Sequence, residues 1–301
     1  MKTAKIILIG LLLHFELALL FPQSEQKTNI TDNNAQFGPA KGSLVIAGGG
    51  RLDTSIMHKF INLAGGLDAS FVIIPTAMGG DSLDLESRKE FLTSYGVSKV
   101  TVLHTRDPEE ANTEKFTKPI LKADGVWFSG GRQWRLADSY LNTLTENELN
   151  AVLERGGVIG GSSAGATIQG SYLVRGDTKG NTLMMGDHIR GFSFLKNSAI
   201  DQHLLKRNRQ FDLIEVLEKF PELLGIGLDE STAIVVTGDE FEVIGKSFVA
   251  IYDTHLWPDP NKDIPGVLPN GGRFFLLCSG DKYNIKTREV IYWKNNSRKL
   301  F

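Results

Sequence analysis

The chain has 301 residues and a formal net charge of −2 at pH 7, and 41% of its residues are hydrophobic. This composition suits a globular protein with an ample core and argues against a general nucleic-acid binder. The single cysteine, Cys278, excludes an intrachain disulfide and a cysteine-based metal cage. The sequence contains no HExxH motif and no dense group of His and Cys, so it predicts neither a metal site nor a cofactor.

The first 22 residues are typical of a secretory signal peptide. Two lysines precede an apolar run that ends near Phe21. This run is short for a membrane span, and polar residues at positions 14 and 16 interrupt it. We therefore expect export, to the periplasm or the extracellular space, and no stable membrane span. Residues 23–41 predict a flexible lead-in, and residues 42–301 a single domain.

Strand-like and helix-like segments alternate from residue 44 onward. A first strand is predicted for SLVIAGGG, an amphipathic helix for TSIMHKFINLAGG and a second strand for SFVIIPTA. A second helix follows in LDLESRKEFLTSYG, a third strand in SKVTVLHT and a further helical stretch in PEEANTEKFTKPILKA. A fourth strand is predicted for GVWFSGG, more helix for QWRLADSYL and TENELNAVLERG, and a fifth strand for GVIGGSSAG. Such alternation favours a parallel, doubly wound sheet.

After residue 222 the pattern changes to strand-like runs and turns, in LLGIGLDESTAIVVTGDEFEVIGKSFVAIYD. The predicted fold class is therefore α/β, a doubly wound, mostly parallel sheet with added antiparallel carboxy-terminal strands. Ligands of such sheets bind beyond the carboxyl ends of the strands. Three predicted strands end there in glycine-rich turns, namely Gly48-Gly49-Gly50, Gly130-Gly131 and Gly160-Gly161.

The third of these turns carries a candidate nucleophile. Gly161-Ser162-Ser163-Ala164-Gly165 fits the pattern G-x-S-x-G, centred on Ser163 and directly after a predicted strand. This pattern marks a nucleophile elbow, in which a strained strand-to-helix turn exposes the serine hydroxyl. A Gly/Ser-rich loop without chemistry is the alternative.

A serine nucleophile needs a base, and His203 is the strongest of the six histidines. It lies in AIDQHLLKRNRQFDLIEVLEKF, at the end of a strand or loop. The helix predicted after it has an apolar face formed by Leu204, Phe211, Ile214 and Leu217. Charged neighbours at an element boundary favour a functional histidine over a structural or surface one.

Three motifs in order, FSGGRQWRL, GGSSAGA and DQHLLKRNR, resemble the serine-dependent peptidases of the cyanophycinase and peptidase E group. The resemblance is closer to the cyanophycinase branch and covers about residues 42–253, including PELLGIGLDESTAIVV. It implies a fold like that of flavodoxin and the class I glutamine amidotransferases, a homodimer, and a serine peptidase for β-aspartyl (isopeptide) bonds. The cyanophycinase substrate, cyanophycin, has an aspartate backbone and arginine side groups.

The resemblance also implies roles for individual residues. Ser163 matches the nucleophile and His203 the general base. The backbone N–H groups of Ala164 and Gly131 would form the oxyanion hole. The positions that match the lining of the family's peptide pocket are Gln133, Asp201, Gln202, Arg207 and Arg209. Arginines suit carboxylates, and Asp201 could bind a guanidinium.

The chain also departs from the family pattern. Arg132 replaces an acid of the loop GGDQ, and Asp212 replaces an arginine. If both faced the cleft, the charge pattern of the pocket would be partly inverted, and cyanophycin would be a poor substrate. Asn181 stands near the cyanophycinase position for the triad acid, so we assign that role to Asp177, near the peptidase E position.

The sequence is also compatible with three alternative functions. An α/β-hydrolase esterase would also use G-x-S-x-G, with His255 as its base. A non-catalytic binding protein on the same fold would account for Asn181. Dinucleotide binding at Gly48-Gly49-Gly50 is weak, because Asp53 occupies the third glycine position of G-x-G-x-x-G.

Overall fold

The computed structural model describes residues 36–80, 83–257 and 273–295. Their strands form two sheets, of nine and five strands. The predicted signal peptide and most of the predicted lead-in lie outside the described residues. The end of that lead-in packs on the fold, since the backbone N–H groups of Gln36, Phe37 and Gly38 bond to the carboxylate of Asp239. Within the described residues no helix is long and apolar enough to cross a membrane.

The first sheet confirms the predicted fold class. Its parallel part consists, in spatial order, of Ser43–Ala47 (β1), Val158–Ser162 (β5), Gly125–Phe128 (β4), Ser70–Ile74 (β2) and Lys99–Val102 (β3). On the other side of β1 it continues antiparallel through Thr232–Thr237 (β9), Glu240–Gly245 (β10), Lys282–Asn284 (β13) and Glu289–Tyr292 (β14). Of the strands predicted after residue 222, β9 and β10 therefore add antiparallel neighbours to this sheet, as expected. The first of them, Leu224–Leu228, instead lies in the second sheet and is parallel to its neighbour Leu195–Gln202.

The second sheet packs on one face of the first. Its order is Gly170–Tyr172 (β6), Leu195–Gln202 (β7), Leu224–Leu228 (β8), Phe248–Tyr252 (β11) and Phe275–Cys278 (β12). β6, β7 and β8 are parallel, and β11 and β12 extend them antiparallel. Because β7 and β8 are parallel neighbours, the residues that follow them lie side by side.

The helices are short. They span Thr54–Leu63 (α1), Leu85–Arg88 (α2), Glu90–Thr93 (α3), Pro108–Ala111 (α4), Glu114–Thr117 (α5), Gln133–Tyr140 (α6), Leu144–Glu154 (α7), Ala164–Thr167 (α8) and Asp212–Lys219 (α9). The second predicted helix is split into α2 and α3, and the stretch from Pro108 into α4, α5 and a 3-10 turn. The helix predicted after His203 begins only at Asp212, so Leu204 lies in a turn before it and Phe211 is 47% exposed.

Strand alternation places the apolar side chains of β1 on opposite faces of the first sheet. Leu44 and Ile46 belong to the core shared with the second sheet, which also contains Ile200. Val45 belongs to the core on the other face, beneath α1, together with Trp127. The parallel strands are buried on both faces and therefore read as continuous apolar runs. Their carboxyl ends form the edge at which the candidate site lies.

Candidate active site

Ser163 occupies a strained turn between β5 and α8. Its backbone has φ +55° and ψ −116°, a conformation that a residue with a side chain rarely adopts. The two glycines of the motif make room for this turn. A Cβ on Gly161 would lie 2.2 Å from the carbonyl oxygen of Gly165, and a Cβ on Gly165 would lie 2.2 Å from that of Phe128. The elbow geometry predicted for Ser163 is therefore present, and it favours a nucleophile over a Gly/Ser-rich loop without chemistry.

His203 follows β7 and reaches Ser163 across the boundary between the two sheets. Its Nε2 lies 2.9 Å from the Ser163 Oγ. Its own backbone is left-handed, with φ +55°, and its N–H donates to the Gly48 carbonyl after β1. A Cβ on Gly49 would lie 2.6 Å from the Cε1 of the His203 ring. The glycine turn after β1 thus packs against the imidazole of His203, and we call this turn the platform of His203. The imidazole fills the space beside Gly49, so no room is left there for the dinucleotide considered above.

The carboxylate that contacts His203 is Glu230, which follows β8. Its Oε1 lies 2.6 Å from the His203 Nδ1. The assignment of Asp177 as the acid is wrong, because that carboxylate accepts the backbone N–H groups of Lys179 and Gly180 in its own loop. Asn181 does not supply a substitute either. Its carbonyl accepts from Arg175.

Burial is the main cause of the lowered pKa of His203. The positive charges of Arg207 and Arg209 lower it further, whereas the hydrogen bond to Glu230 raises it. The balance holds the His203 pKa below its ordinary value of 6.5. The imidazole is therefore neutral at pH 7, as a general base must be.

The predicted oxyanion-hole residues flank the serine. Ala164 is the first residue of α8, so its N–H belongs to the group that a helix leaves without an internal acceptor. A Cβ on Gly130 would lie 3.2 Å from the Ser163 Cβ, which brings the turn after β4 against the nucleophile. At Gly131 the backbone has φ +145°, and a Cβ would lie 2.0 Å from the Ala77 carbonyl oxygen. Only glycine fits this turn.

The residues expected to line the peptide pocket are mostly bonded within the protein. Asp201 is fully buried and accepts from the Nε and Nη2 of Arg175, at 2.8 and 2.9 Å. The Nη1 of Arg209 donates to the carbonyl and the side-chain oxygen of Gln202. Gln133 is buried and donates to the Val174 carbonyl. Of this set, only Arg207 is exposed.

Arg175 is a functional candidate that the motifs missed. Besides Asp201 it contacts Asp212, whose Oδ2 lies 2.5 Å from Nη2. Burial opposes its charge, but the hydrogen bonds that it donates to both carboxylates raise the pKa of Arg175 above its ordinary value. Asp212 therefore neutralises a buried arginine rather than presenting a free negative charge. Arg132 bonds the carbonyls of Asp177 and Gly180, so neither departure inverts the pocket as the sequence suggested.

Three other histidines among the described residues have hydrogen-bond partners of their own. The His255 Nδ1 lies 2.8 Å from Asp253, and the rings of His104 and His188 bond Thr76 and Asp138. The Ser163 hydroxyl bonds His203 and not His255, so the esterase arrangement with His255 as the base is wrong. In the part of the chain that the structure describes, no group of three or more His, Cys, Asp and Glu is placed to hold a metal ion.

Comparison with known proteins shows the family and the fold of the chain. The model of peptidase family S51 matches residues 44–244. A cyanophycinase from Geminocystis herdmanii is 31% identical over 245 residues, which cover 78% of this chain and 90% of the relative. A cyanophycinase from Synechococcus elongatus is 30% identical over 276 residues, covering 87% and 84%. The crystal structure of a peptidase from an acI-B1 Actinobacterium has a TM-score of 0.62 at 23% identity and covers 81% of this chain and 97% of that one, which shows a shared fold.

Proposed function

Since the chain belongs to peptidase family S51 and is a serine-type peptidase, we propose that it hydrolyses β-aspartyl or related aspartyl peptide bonds through an acyl-enzyme on Ser163. One observation carries the mechanism. A continuous chain of hydrogen bonds runs from the Ser163 hydroxyl through His203 to Glu230. This is the arrangement by which a base removes the proton of a hydroxyl nucleophile while a carboxylate orients the base.

In the first half-reaction the Ser163 Oγ attacks the scissile carbonyl and His203 Nε2 accepts its proton. The Glu230 carboxylate holds the Nδ1–H and stabilises the imidazolium that forms. The N–H groups of Ala164 and Gly131 donate to the oxyanion of the tetrahedral intermediate. When this intermediate collapses, the carbon–nitrogen bond breaks, and His203 delivers its proton to the departing amine.

In the second half-reaction a water molecule replaces the amine. His203 removes a proton from the water, the hydroxide oxygen bonds to the acyl carbon, and the ester bond to Ser163 breaks. The proton returns from His203 to the Ser163 oxygen, which restores the free enzyme. The acid product carries the former acyl group.

The buried Arg175–Asp201 pair supports a substrate without an arginine side group. A guanidinium of the substrate would compete for Asp201 with an arginine that already binds it through two hydrogen bonds. Such paired bonds are the strong form of this interaction. We therefore propose that acidic or β-aspartyl peptides are cleaved, and that the arginine-bearing polymer of the cyanophycinases is a poor substrate.

The test compares kcat/KM on β-Asp-Arg with kcat/KM on β-Asp-Ala and on the corresponding α-aspartyl peptides, with Ser163→Ala as the inactive control. We expect hydrolysis of β-Asp-Ala at least as efficient as that of β-Asp-Arg. A preference of more than tenfold for β-Asp-Arg would overturn the proposal on the side group. No hydrolysis of any aspartyl peptide, by a protein whose Ser163 reacts with a fluorophosphonate probe, would overturn the aspartyl assignment.

We also propose that the protein is exported and forms a homodimer. Export is supported by the composition of residues 1–22, and the homodimer by the family resemblance alone. Sequencing the amino terminus of the protein from fractionated cells tests the first proposal, and light scattering of the purified protein tests the second. An uncleaved amino terminus in the cytoplasmic fraction, or a monomeric mass, would contradict them.

A further inference from the structure

A cavity lies beside the Ser163 elbow, on the face of the first sheet away from Asp201. Its volume is about 250 Å³, and its lining includes Ile73, Met78, Arg88, Trp127, Gly130 and Ser162. Ile73 and Trp127 belong to the core beneath α1, whereas the second sheet packs on the opposite face.

The cavity is next to the nucleophile. Ser162 immediately precedes Ser163, and a Cβ on Gly130 would lie 3.7 Å from the Ser163 Oγ. A group bound in the cavity is therefore adjacent to the reacting atoms. By strand order β4 and β2 lie on one side of β5, and β1, which carries the platform of His203, lies on the other. The cavity and the base thus approach Ser163 from opposite sides.

Arg88 lines this cavity and forms no ion pair with another described residue. Its Nε is buried and has no hydrogen-bond partner among the described residues. Glu86, on the same helix, bonds Lys89 instead. A guanidinium without acceptors is unfavourable where it is shielded from water, so an anion bound beside Arg88 would stabilise it.

The turn after β2, which supplies Met78 to the lining, carries positive charge. Arg135 donates to the Ala77 carbonyl and Arg106 to the Met78 carbonyl, both in this turn. Burial, and then the charges of Arg106 and Arg132, lower the pKa of Arg135, with no carboxylate among the causes. Positive charge at this turn attracts anions towards the neighbouring cavity.

We propose that the cavity is a carboxylate subsite, in which Arg88 binds the free carboxylate of the aspartyl residue being cleaved. This inference deepens the proposed function and rests on it. An aspartyl residue that is linked through one carboxyl keeps the other, and the two are separated by only two carbon atoms. When the linked carboxyl is at the Ser163 Oγ, the free carboxylate has to lie next to it. The guanidinium is suited to this partner because it donates two parallel hydrogen bonds.

The test uses β-Asp-Ala with a free α-carboxylate and the same dipeptide with an α-carboxamide. The native protein is expected to prefer the carboxylate by about 10- to 100-fold in kcat/KM, the value of a hydrogen bond to a charged group. Arg88→Met should remove this preference by lowering kcat/KM on the carboxylate alone. Lys89→Met removes a neighbouring positive charge and should keep the preference. An equal loss on both substrates in Arg88→Met, or no preference in the native protein, overturns the subsite.

If the native protein hydrolyses neither dipeptide, the proposed function fails and the subsite is tested by protection. Succinate should slow the reaction of Ser163 with a fluorophosphonate probe in the native protein and in Lys89→Met, but not in Arg88→Met. Absence of protection in the native protein, or equal protection in Arg88→Met, overturns the subsite on its own evidence.

Discussion

At the scale of single residues, the identity of the acid is the sharpest prediction. Glu230→Gln should lower kcat by about 10⁴-fold, because an amide cannot hold the imidazole in the correct tautomer or stabilise its charged form. Asp177→Asn is the matched control, since an amide oxygen can still accept the N–H groups of Lys179 and Gly180. Steady-state kinetics on an aspartyl peptide measures both. A large loss in Asp177→Asn together with a small one in Glu230→Gln would restore the assignment made from sequence.

The activity of single residues also predicts how kcat/KM depends on pH. His203 acts as a base only when neutral, and burial and Arg207 hold its pKa below 6.5. In a plot of kcat/KM against pH, the midpoint of the acid limb should therefore lie below pH 6.5. Arg207→Gln removes a positive charge that disfavours the imidazolium, so the His203 pKa should rise and the limb should move to higher pH. Lys206→Gln, also exposed, is the control that should leave the limb in place. A limb that moves to lower pH in Arg207→Gln would contradict this electrostatic account.

The sequence identified two members of the triad and missed the third for a physical reason. Ser163 and His203 each stand in a dense local motif, whereas Glu230 is brought to His203 only by the parallel pairing of β7 and β8. A signal was present, because the segment LGIGLDESTAIVV ends a buried strand with an acid. Carboxyl ends of neighbouring parallel strands meet at one edge, so an acid after β8 is a candidate once β7 is paired with it.

At the scale of elements, the turn after β1 is predicted to position the imidazole of His203. Gly49→Ala would place a methyl group 2.6 Å from the His203 ring, in a backbone with φ +108°. The ring has to move, and we expect a loss of at least about 10²-fold in kcat, the effect of a misplaced catalytic group. Gly66→Ala is the matched control, because it has φ +96° and nothing within 4 Å of its Cβ.

Both glycine variants should be destabilised by at least about 1 kcal/mol, as expected for alanine at positive φ. Gly49→Ala should lose more than Gly66→Ala, because its methyl group also displaces the His203 ring. Thermal unfolding measures this cost apart from activity. Equal activity of the two variants would show that the platform does not position His203.

The sequence predicted the parallel strands well and the helices less well. Strands buried on both faces are continuous apolar runs, which is a strong local signal. The helices are interrupted where local residues compete with periodicity. Pro119 cannot continue a helix from Glu114, and the polar turn after His203 delays α9 until Asp212. The contacts of this turn are tertiary, such as the N–H groups of Leu205 and Lys206 on Asp229, and no periodicity in the sequence reports them.

At the scale of the whole molecule, a buried cluster of charges connects the second sheet to the segment that carries Arg175 and to helix α9. Asp201 on β7 binds Arg175, and Arg175 also binds Asp212 at the start of α9. Asp201→Asn should lower the free energy of unfolding by about 3–5 kcal/mol, since it removes a partner of a buried charge. Glu86→Gln, which removes an exposed pair with Lys89, should cost less than about 1 kcal/mol. Chemical denaturation measures both, and equal midpoints would contradict the role of the cluster.

The division of the triad between two sheets has a further consequence while the protein is being made. Ser163 and His203 leave the ribosome before Glu230 and before β9, whose pairing sets Ile234 beside Ile46 of β1. Synthesis proceeds at about 5–20 residues per second, and domains fold as units once their strands are available. Until β9 has emerged, β1 lacks one neighbour and the platform of His203 is incomplete. We therefore expect the nascent chain to be inactive while Ser163 and His203 are exposed, and peptidase activity to begin only after Glu230 and β9 have joined the fold.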